Sequence, residues 1–204
     1  NIYLSELDYF VKFNLRERYY FRYADDFVFL HENREHLLRL RQQIHLQTKC
    51  GIRFGPPHRF DFSYAHIVKS VEGSLTRLRT DYLDVLLLHR PDPLVEPEEV
   101  ARAFDELKSA GKVRWFGVSN HTAAQMELLG KYLNQPIVVN QVEFNLIHTH
   151  LLDEGILFNQ NNPRLTRNAG VIEYCRLHNI ALQAWAPLAN GWVTGHSRQN
   201  APEY

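Results

Sequence analysis

From residue 44 onward the sequence alternates short apolar runs with longer amphipathic segments. This alternation is typical of repeated β-α units around a parallel sheet. The run "YLDVLLLH" at residues 82–89 contains an unbroken apolar stretch, which indicates a strand buried on both faces. The predicted strands are "IHLQTKC", "YLDVLLLH", "VRWFGVSN", "PIVVNQVEFN" and "IALQAWAPL". We therefore expect an α/β fold with five parallel strands between residues 44 and 188.

The segments between these runs carry helix signals. In "SYAHIVKSVEGSLTRLR" apolar residues recur at helical spacing, and Ser63 is the predicted N-cap. In "EPEEVARAFDELKSAGKV" acidic residues occupy the first turn and Gly111 stands at the end, which suits the helix dipole and the glycine preference at helix ends. Further helices are predicted at residues 122–132 and 169–179, and residues 151–168 predict a long, functional loop. The apolar stripe of the first helix consists of Ile67, Val71, Leu75 and Leu78.

The residues before position 44 follow a different pattern. The runs "YYFRY", "ADD" and "FVFL" predict a strand, a turn and a strand, and "NREHLLRLRQQI" predicts a helix capped by Asn33. No linker rich in Pro, Gly or Ser separates this part from the rest. On the change of pattern we predict two domains, residues 1–43 and residues 44–204.

Composition narrows the function classes. Twenty-three basic and 23 acidic side chains cancel, so the chain lacks the positive field that a processive nucleic-acid enzyme usually has. Two distant cysteines, Cys50 and Cys175, indicate buried thiols in a reducing compartment rather than a disulfide framework. No apolar run approaches the length of a membrane span, and the first residues do not resemble a signal peptide. We expect a cytoplasmic protein with no membrane partner.

Polar residues stand where the predicted strands end. In barrels of parallel strands the active site forms at these carboxyl ends. A lysine and a histidine at the same end of such a barrel can polarise a substrate carbonyl and shift the pKa of a proton donor. Amides and a hydroxyl can hydrogen-bond the carboxamide of a nicotinamide, and an indole can stack on its ring. The residues concerned are Lys49, His89, Ser119, Asn120, Asn140, Gln141 and Trp185.

The spaced motifs "TKCGIR", "LDVLLLHRPDP", "GKVRWFGVSN", "NQVEFN" and "QAWAPL" closely resemble the aldo-keto reductases, NAD(P)H-dependent enzymes built on an eight-stranded (β/α) barrel. The resemblance covers about residues 44–191. It implies a partial (β/α)8 TIM-type barrel that holds family strands three to seven, preceded by a β-hairpin and a helix. It also implies NADP or NAD as cofactor and a small carbonyl compound as substrate.

The resemblance implies catalytic roles for two residues. Lys49 and His89 match the lysine and histidine of the family's Asp, Tyr, Lys and His tetrad. The family carries the tyrosine, which donates the proton, and the aspartate before the lysine, but no Asp followed five residues later by Tyr precedes Lys49. We therefore expect an oxidoreductase-type site with little or no turnover in the chain as it stands.

The resemblance also implies a set of cofactor contacts. Ser119, Asn120 and Gln141 match the residues that contact the nicotinamide carboxamide. Trp185 falls where the family stacks an aromatic ring on the nicotinamide, and Leu188 lies in the loop on the pyrophosphate side. After residue 191 neither an eighth strand nor the family's basic loop for the adenosine phosphate is recognisable.

Residues 1–43 resemble the palm segment of reverse transcriptases related to retrons and group II introns. Their YxDD box corresponds here to Tyr23, Ala24, Asp25 and Asp26, and the two aspartates of such a box hold two Mg²⁺ ions. The alternative functions are therefore an RNA-directed DNA polymerase fragment or a non-catalytic chimeric fragment. Because the third palm carboxylate, the fingers and the thumb are missing, a charged turn without a metal is the expected role of the two aspartates.

Each reductase-type residue also has a structural interpretation. Lys49 fits a solvated lysine at a strand end, and His89 fits a hydrogen-bonded core histidine. Ser119 and Asn120 fit caps of the following helix. Trp185 fits ordinary core packing.

Overall fold

The computed structural model describes residues 20–23, 26–29, 35, 45–53, 55–57, 59–156 and 170–189. The chain divides into two compact units, Asn1–His45 and Leu46–Tyr204. The predicted division into a foreign segment of residues 1–43 and a reductase-like remainder stays a prediction.

The first unit contains an antiparallel hairpin of β1 (Tyr20–Tyr23) and β2 (Asp26–Phe29). The register pairs Tyr20 with Phe29 and Tyr23 with Asp26. The two predicted strands are thus confirmed as an antiparallel pair, with Asp26 of the predicted turn in β2 and residues 24 and 25 outside the described part of the chain. Of the predicted helix at residues 33–44 the structure describes Glu35, which is helical.

The second unit is organised around a parallel sheet. Its first strand, β3 (Gln47–Cys50), is followed by a short antiparallel pair that the sequence pattern did not predict, β4 (Ile52–Arg53) and β5 (Arg59–Phe60). The other parallel strands are β6 (Leu83–Leu88), β7 (Val113–Ser119), β8 (Ile137–Glu143) and β9 (Ala181–Trp185). The sheet order β3-β6-β7-β8-β9 follows the chain, so the five predicted parallel strands are confirmed.

Helices connect the strands of this sheet. They are α1 (Tyr64–Leu78), α2 (Pro97–Ser109), α3 (Ala123–Tyr132), α4 (His150–Ile156) and α5 (Val171–Leu177). The fourth overlaps the segment predicted as a loop, residues 151–168, so that prediction was wrong for residues 151–156. The helix starts there because the Thr149 carbonyl accepts hydrogen bonds from the backbone N–H groups of Leu152 and Asp153, while the Thr149 hydroxyl donates to the Asp153 carboxylate at 2.8 Å.

Side-chain caps define two helix starts. The hydroxyl of Ser63 accepts a hydrogen bond from the His66 N–H at 3.3 Å, which confirms the predicted cap of α1. At α3 the Thr122 hydroxyl accepts from the Gln125 N–H at 3.3 Å, and the Gln125 side chain accepts from the Thr122 N–H at 2.9 Å. This reciprocal capping box belongs to Thr122. The interpretation of the preceding Ser119 and Asn120 as the caps was therefore wrong.

The main core lies between one face of the sheet and the helices. Ile67, Val71 and Leu75 are buried as predicted, but Leu78, the last residue of α1, is 44% exposed. Across the interface the rings of Phe104 and Phe116 stack with centroids 4.0 Å apart. The sheet contributes Cys50, Leu83, Leu86, Leu88, Val113, Phe116, Val118 and Ile137 to this cluster.

A buried carboxylate ties the beginnings of three strands together. Asp84 of β6 is 4% exposed, and its Oδ2 accepts a hydrogen bond from the Leu46 N–H at 2.8 Å. Its Oδ1 accepts from Arg114 Nη1 at 2.9 Å. The Arg114 guanidinium in turn lies 3.9 Å from the ring centroid of Tyr82. These contacts hold β3 and β7 in register on β6.

The opposite face of the sheet is concave and tightly packed at Gly117. A methyl group added there would lie 2.5 Å from Cγ1 of Val139 and 2.7 Å from Cδ2 of Leu87. Although β3 and β9 are the two ends of the sheet, the Gln47 Nε2 of the first donates to the Gln183 Oε1 of the second at 2.8 Å. The sheet is therefore curved far enough for its edge strands to touch through their side chains.

This packing predicts that Gly117→Ala lowers the free energy of unfolding by roughly 1–3 kcal/mol, the usual cost of overpacking a core. The matched control is Gly130→Ala, because an added methyl group at Gly130 of α3 meets nothing within 4 Å and should stabilise the helix by up to about 1 kcal/mol. Urea denaturation of both variants measures the difference. Equal stability of the two variants would contradict the tight approach at Gly117.

Candidate functional site

The carboxyl ends of the parallel strands bring most of the predicted residues to one edge of the sheet. Lys49 lies near the end of β3, and His89 directly follows β6 and donates its N–H to the Cys50 carbonyl at 2.9 Å. Ser119 ends β7 and is paired in register with Gln141 of β8. Trp185 is the last residue of β9.

Side-chain hydrogen bonds connect these strand ends. The Trp185 indole Nε1 donates to Asn120 Oδ1 at 2.8 Å. The Asn120 Nδ2 donates to Ser119 Oγ at 2.9 Å and to the His89 carbonyl at 3.4 Å. The Ser119 hydroxyl donates to the Gln141 carbonyl at 2.9 Å. The indole orientation is therefore set by a hydrogen-bonded chain that reaches from β9 to β6, which distinguishes Trp185 from a residue held by packing alone.

Backbone geometry makes this chain possible. Asn120 has a φ of 62°, a left-handed conformation that asparagine adopts more readily than most residues. Behind it the fully buried Asn140 donates from Nδ2 to the His121 carbonyl at 2.9 Å and accepts from the His121 N–H at 3.4 Å. Asn140, predicted only as a polar strand-end residue, thus braces the turn after Ser119.

Electrostatics favour a neutral histidine at this edge. Partial burial lowers the pKa of His89, and the charges of Lys49 and Arg90 lower it further. The imidazole is then neutral at neutral pH and can donate one ring N–H to a carbonyl oxygen. This agrees with the expectation that the lysine influences a neighbouring proton donor.

Gln141 carries an unsatisfied acceptor. Its Nε2 donates to Gln183 Oε1 at 2.9 Å, and the same oxygen accepts from Gln47 Nε2 at 2.8 Å. The Gln141 Oε1 is buried and has no hydrogen-bond partner among the described residues. A buried acceptor without a partner costs free energy, so an N–H or O–H donor of a ligand would be complementary to it.

Several residues of this region were not predicted from the sequence. Gln183 stands two positions before Trp185 on a strand, so the alternation of side chains places both on the same face, and this signal could have identified it. The Arg90 guanidinium lies 5.6 Å from the ring centroid of Trp185. Asn145 Nδ2 donates to the Ala186 carbonyl at 3.1 Å, at the start of the turn that holds the half-buried Leu188.

The metal alternative is not tested by these contacts. Asp25 lies outside the described residues, and Asp26 begins β2 with a side chain that is not described. Among the residues that the structure describes, no three His, Cys, Asp or Glu side chains are close enough together to hold a metal ion.

The two cysteines are buried thiols, as predicted. Burial raises the pKa of Cys50 to about 12 and that of Cys175 to about 11, so both stay protonated and unreactive near neutral pH. None of the described helices combines the length and the apolarity needed to cross a membrane.

Comparison with known proteins identifies the family. The profile of the Aldo/keto reductase family matches residues 31–203. The chain belongs to this family. The match begins well before residue 44, so residues 31–43, which the sequence analysis grouped with the polymerase-like segment, fall inside it.

Two curated relatives illustrate how much of the family protein is present. An uncharacterized oxidoreductase, YcsN of Bacillus subtilis, is 43% identical over 162 residues, which are 76% of this chain and 49% of the relative. A 6-dehydroglucose reductase of Agrobacterium fabrum is 36% identical over 160 residues, which are 74% of this chain and 48% of the relative. The chain thus spans about half the length of these relatives.

Solved structures agree with this assignment. The glycerol dehydrogenase AKR11B4 from Gluconobacter oxydans has a TM-score of 0.63 at 27% identity, over 83% of this chain and 48% of that chain. An aldo/keto reductase from Klebsiella pneumoniae, determined in complex with NADP and acetate, has a TM-score of 0.54 at 28% identity, over 77% of this chain and 47% of that chain. The curved five-stranded sheet is consistent with part of the family's TIM-type barrel.

The burial of His121 predicts a pH-dependent stability. The side chain is 4% exposed, and burial lowers its pKa from 6.5 to about 4. Between these pH values the unfolded chain binds a proton that the folded chain does not, so stability rises with pH and falls on acidification. The contribution is about 3 kcal/mol when the whole interval is crossed.

Urea denaturation at neutral pH and at pH near 4 checks this contribution. His121→Asn should lose less stability on acidification than the parent chain, because the variant has no imidazole to protonate. His178→Asn, a change at an exposed histidine just after α5, should keep the parental loss. An unchanged pH dependence in His121→Asn would contradict the role of burial.

Proposed function

We propose that the strand-end site of this chain serves NAD(P)H-dependent carbonyl reduction. The observation that carries the proposal is the hydrogen-bonded chain from Trp185 through Asn120 and Ser119 to Gln141, which lies at the same sheet edge as Lys49 and His89. Family membership supports the same chemistry. When bound, the cofactor supplies a hydride to the carbonyl carbon of a substrate.

In this proposal different polar residues contact different parts of the nicotinamide. The Gln141 Oε1 accepts a hydrogen bond from the carboxamide, because it has no other partner among the described residues. Trp185 offers a ring face, and its indole N–H is already used to fix its orientation on Asn120. Ser119 contributes to the carboxamide site together with Asn120, and Leu188 lies beside the cofactor in the turn after β9.

Lys49 and His89 act on the substrate carbonyl. The neutral His89 imidazole donates a hydrogen bond to the carbonyl oxygen, and its lowered pKa keeps it in this form near neutral pH. The Lys49 ammonium stabilises the negative charge that develops on that oxygen. Residues 1–48 contain no Asp with a Tyr five positions later, so we propose that turnover in this chain is low for want of the family's proton donor.

The cofactor and the substrate class are proposed from the relatives of this chain. The relative from Agrobacterium fabrum is called a 6-dehydroglucose reductase, and the Klebsiella pneumoniae structure holds NADP and acetate. We therefore propose NADP or NAD as cofactor and a small carbonyl compound as substrate. Nucleic acid is not expected as a partner, and a cytoplasmic location stays a prediction that the buried, protonated cysteines suit.

A second candidate function is a reverse-transcriptase fragment. The specific observation in its favour is the hairpin register in which Tyr23 pairs with Asp26, since a strand-turn-strand is the setting that a YxDD box requires. In this alternative Asp25 and Asp26 hold Mg²⁺, whereas in a non-catalytic chimeric fragment neither activity is present. Residues 31–203 match the reductase family, so carbonyl reduction is the better supported proposal.

Titration of NADPH fluorescence with the purified chain tests the carboxamide contact. Gln141→Leu should weaken NADPH binding roughly tenfold, because one hydrogen bond of about 1.4 kcal/mol is lost. Gln135→Leu removes the same amide group from a surface position that bonds to Asp105, and it should leave binding unchanged. Equal binding by the two variants would remove Gln141 from the site.

Two further measurements separate the proposed functions. Oxidation of NADPH with a small aldehyde should be slow, and rapid turnover would contradict the missing proton donor. Primer extension with Mg²⁺ should be absent. Extension without NADPH binding would favour the polymerase alternative, and absence of both NADPH binding and primer extension would favour the non-catalytic fragment.

A further inference from the structure

A cleft of about 620 Å³ lies beside the carboxyl end of β3 and along α1. Its charged lining is entirely basic: among the described residues that line it, none is Asp or Glu. The volume is in the range of pockets that hold small molecules. The basic lining residues are Lys49, Arg53, His66, Lys69, Arg77 and His89.

One face of α1 forms a wall of this cleft. His66, Ser70, Gly73 and Arg77 follow one another at intervals of three or four residues, so they lie on a single helical stripe. The stripe that contains Ile67 and the other buried apolar residues of the helix packs into the core instead. The polar stripe is therefore available to a ligand in the cleft.

Gly73 makes room for a guanidinium in the wall. A methyl group added at Gly73 would lie 3.1 Å from Arg77 Nη1, so the Arg77 side chain occupies the space that a larger residue would fill. The Arg77 Nη2 donates to Ser74 Oγ at 3.2 Å, which orients the group. Glycine inside a helix is less favourable than alanine, and here it permits this placement.

The positive charge of the cleft is only partly neutralised. Arg53 forms a salt bridge with Asp61, but no carboxylate pairs with Lys69 or Arg77 in the part of the chain that the structure describes. Burial lowers the pKa of His66; among the neighbouring charges Asp61 opposes this shift most, while Arg53 and Lys69 add to it. The uncompensated cations of the cleft are therefore Lys69 and Arg77 rather than the group around Asp61.

We propose that this cleft binds an oxyanion, a phosphate or a carboxylate, carried by a small carbonyl compound whose carbonyl lies at Lys49 and His89. The position of the ligand's carbonyl group rests on the proposed function. The position of its anionic group rests on the cleft alone. Arg77 presents a planar fork that suits the two oxygens of such a group, and Lys69 adds a point charge. Lys49 and His89 belong to both the strand-end site and the cleft, so one ligand can reach both.

Inorganic phosphate and acetate, each titrated into the full chain at constant ionic strength, test the anionic end. The imidazole proton signals of His66 and His89 report binding by NMR. Phosphate or acetate should shift both signals saturably, and Lys69→Gln and Arg77→Gln should each weaken that binding about tenfold or more, the loss expected for a charge-assisted hydrogen bond. Lys131→Gln, which removes the same charge from the last turn of α3, should change nothing.

Gly73→Ala tests the geometry of the wall without removing a charge. The variant should unfold at the same or a higher temperature than the parent chain, because alanine favours the helix, and yet bind phosphate more weakly because Arg77 is displaced. Unsaturable shifts, or equal binding by the parent chain, Lys69→Gln and Arg77→Gln, would overturn the anion site.

Pairs of aldehydes with and without an anionic group test whether one ligand occupies both the cleft and the strand-end site. Glyceraldehyde 3-phosphate against glyceraldehyde, and succinic semialdehyde against butanal, distinguish a phosphate from a carboxylate as the anionic group. In at least one pair, the charged aldehyde should displace inorganic phosphate more strongly than the uncharged aldehyde does. If the two aldehydes of each pair displace phosphate equally, the substrate is not an anionic carbonyl compound. If phosphate binds and NADPH does not, the anion site is supported and the proposed carbonyl reduction fails. If NADPH binds and phosphate does not, the anion site alone is overturned.

Discussion

The close approach of three strands at Gly117 is the constraint on which the rest of the structure depends. Without a side chain at this position, Leu87 and Val139 from the neighbouring strands meet over the backbone of β7. The sheet can then curve until the edge strands are joined by the hydrogen bond between Gln47 and Gln183. The carboxyl ends of five strands consequently form an arc, and side chains far apart in sequence share one site.

The site depends on electrostatics as much as on this shape. Neutral amides, a hydroxyl and an indole form a fixed hydrogen-bonded chain on one side, which leaves the Gln141 Oε1 as an acceptor without a partner among the described residues. On the other side, partial burial and then the charge of Lys49 lower the pKa of His89, and basic residues continue along α1 to Arg77. One end of the arc therefore offers neutral hydrogen-bonding groups, and the other end is basic.

Much of the fold was predictable because it depends on local patterns. Alternating apolar runs predicted the five strands, and Ser63 predicted a helix start that its own hydroxyl caps. Prediction failed in three places. Thr149 and Asp153, four residues apart, start a helix in a segment that its polarity assigned to a loop, and Leu78 is exposed although it continues the apolar stripe of α1. The polymerase-like grouping of residues 31–43 conflicts with a family match that only the comparison of long stretches reveals.

The sequence by itself determined the order of the elements, the identity of the strand-end residues and the family, because periodicity and spaced motifs are properties of the chain. Tertiary structure decided which of these residues interact. Asn120 binds the Trp185 indole across 65 positions, Gln183 holds the Gln141 amide, and Arg77 lies over Gly73 beside a basic cleft. These contacts arise from the curvature of the sheet and the packing of α1 on it, which join distant segments and leave no periodic signal in the sequence.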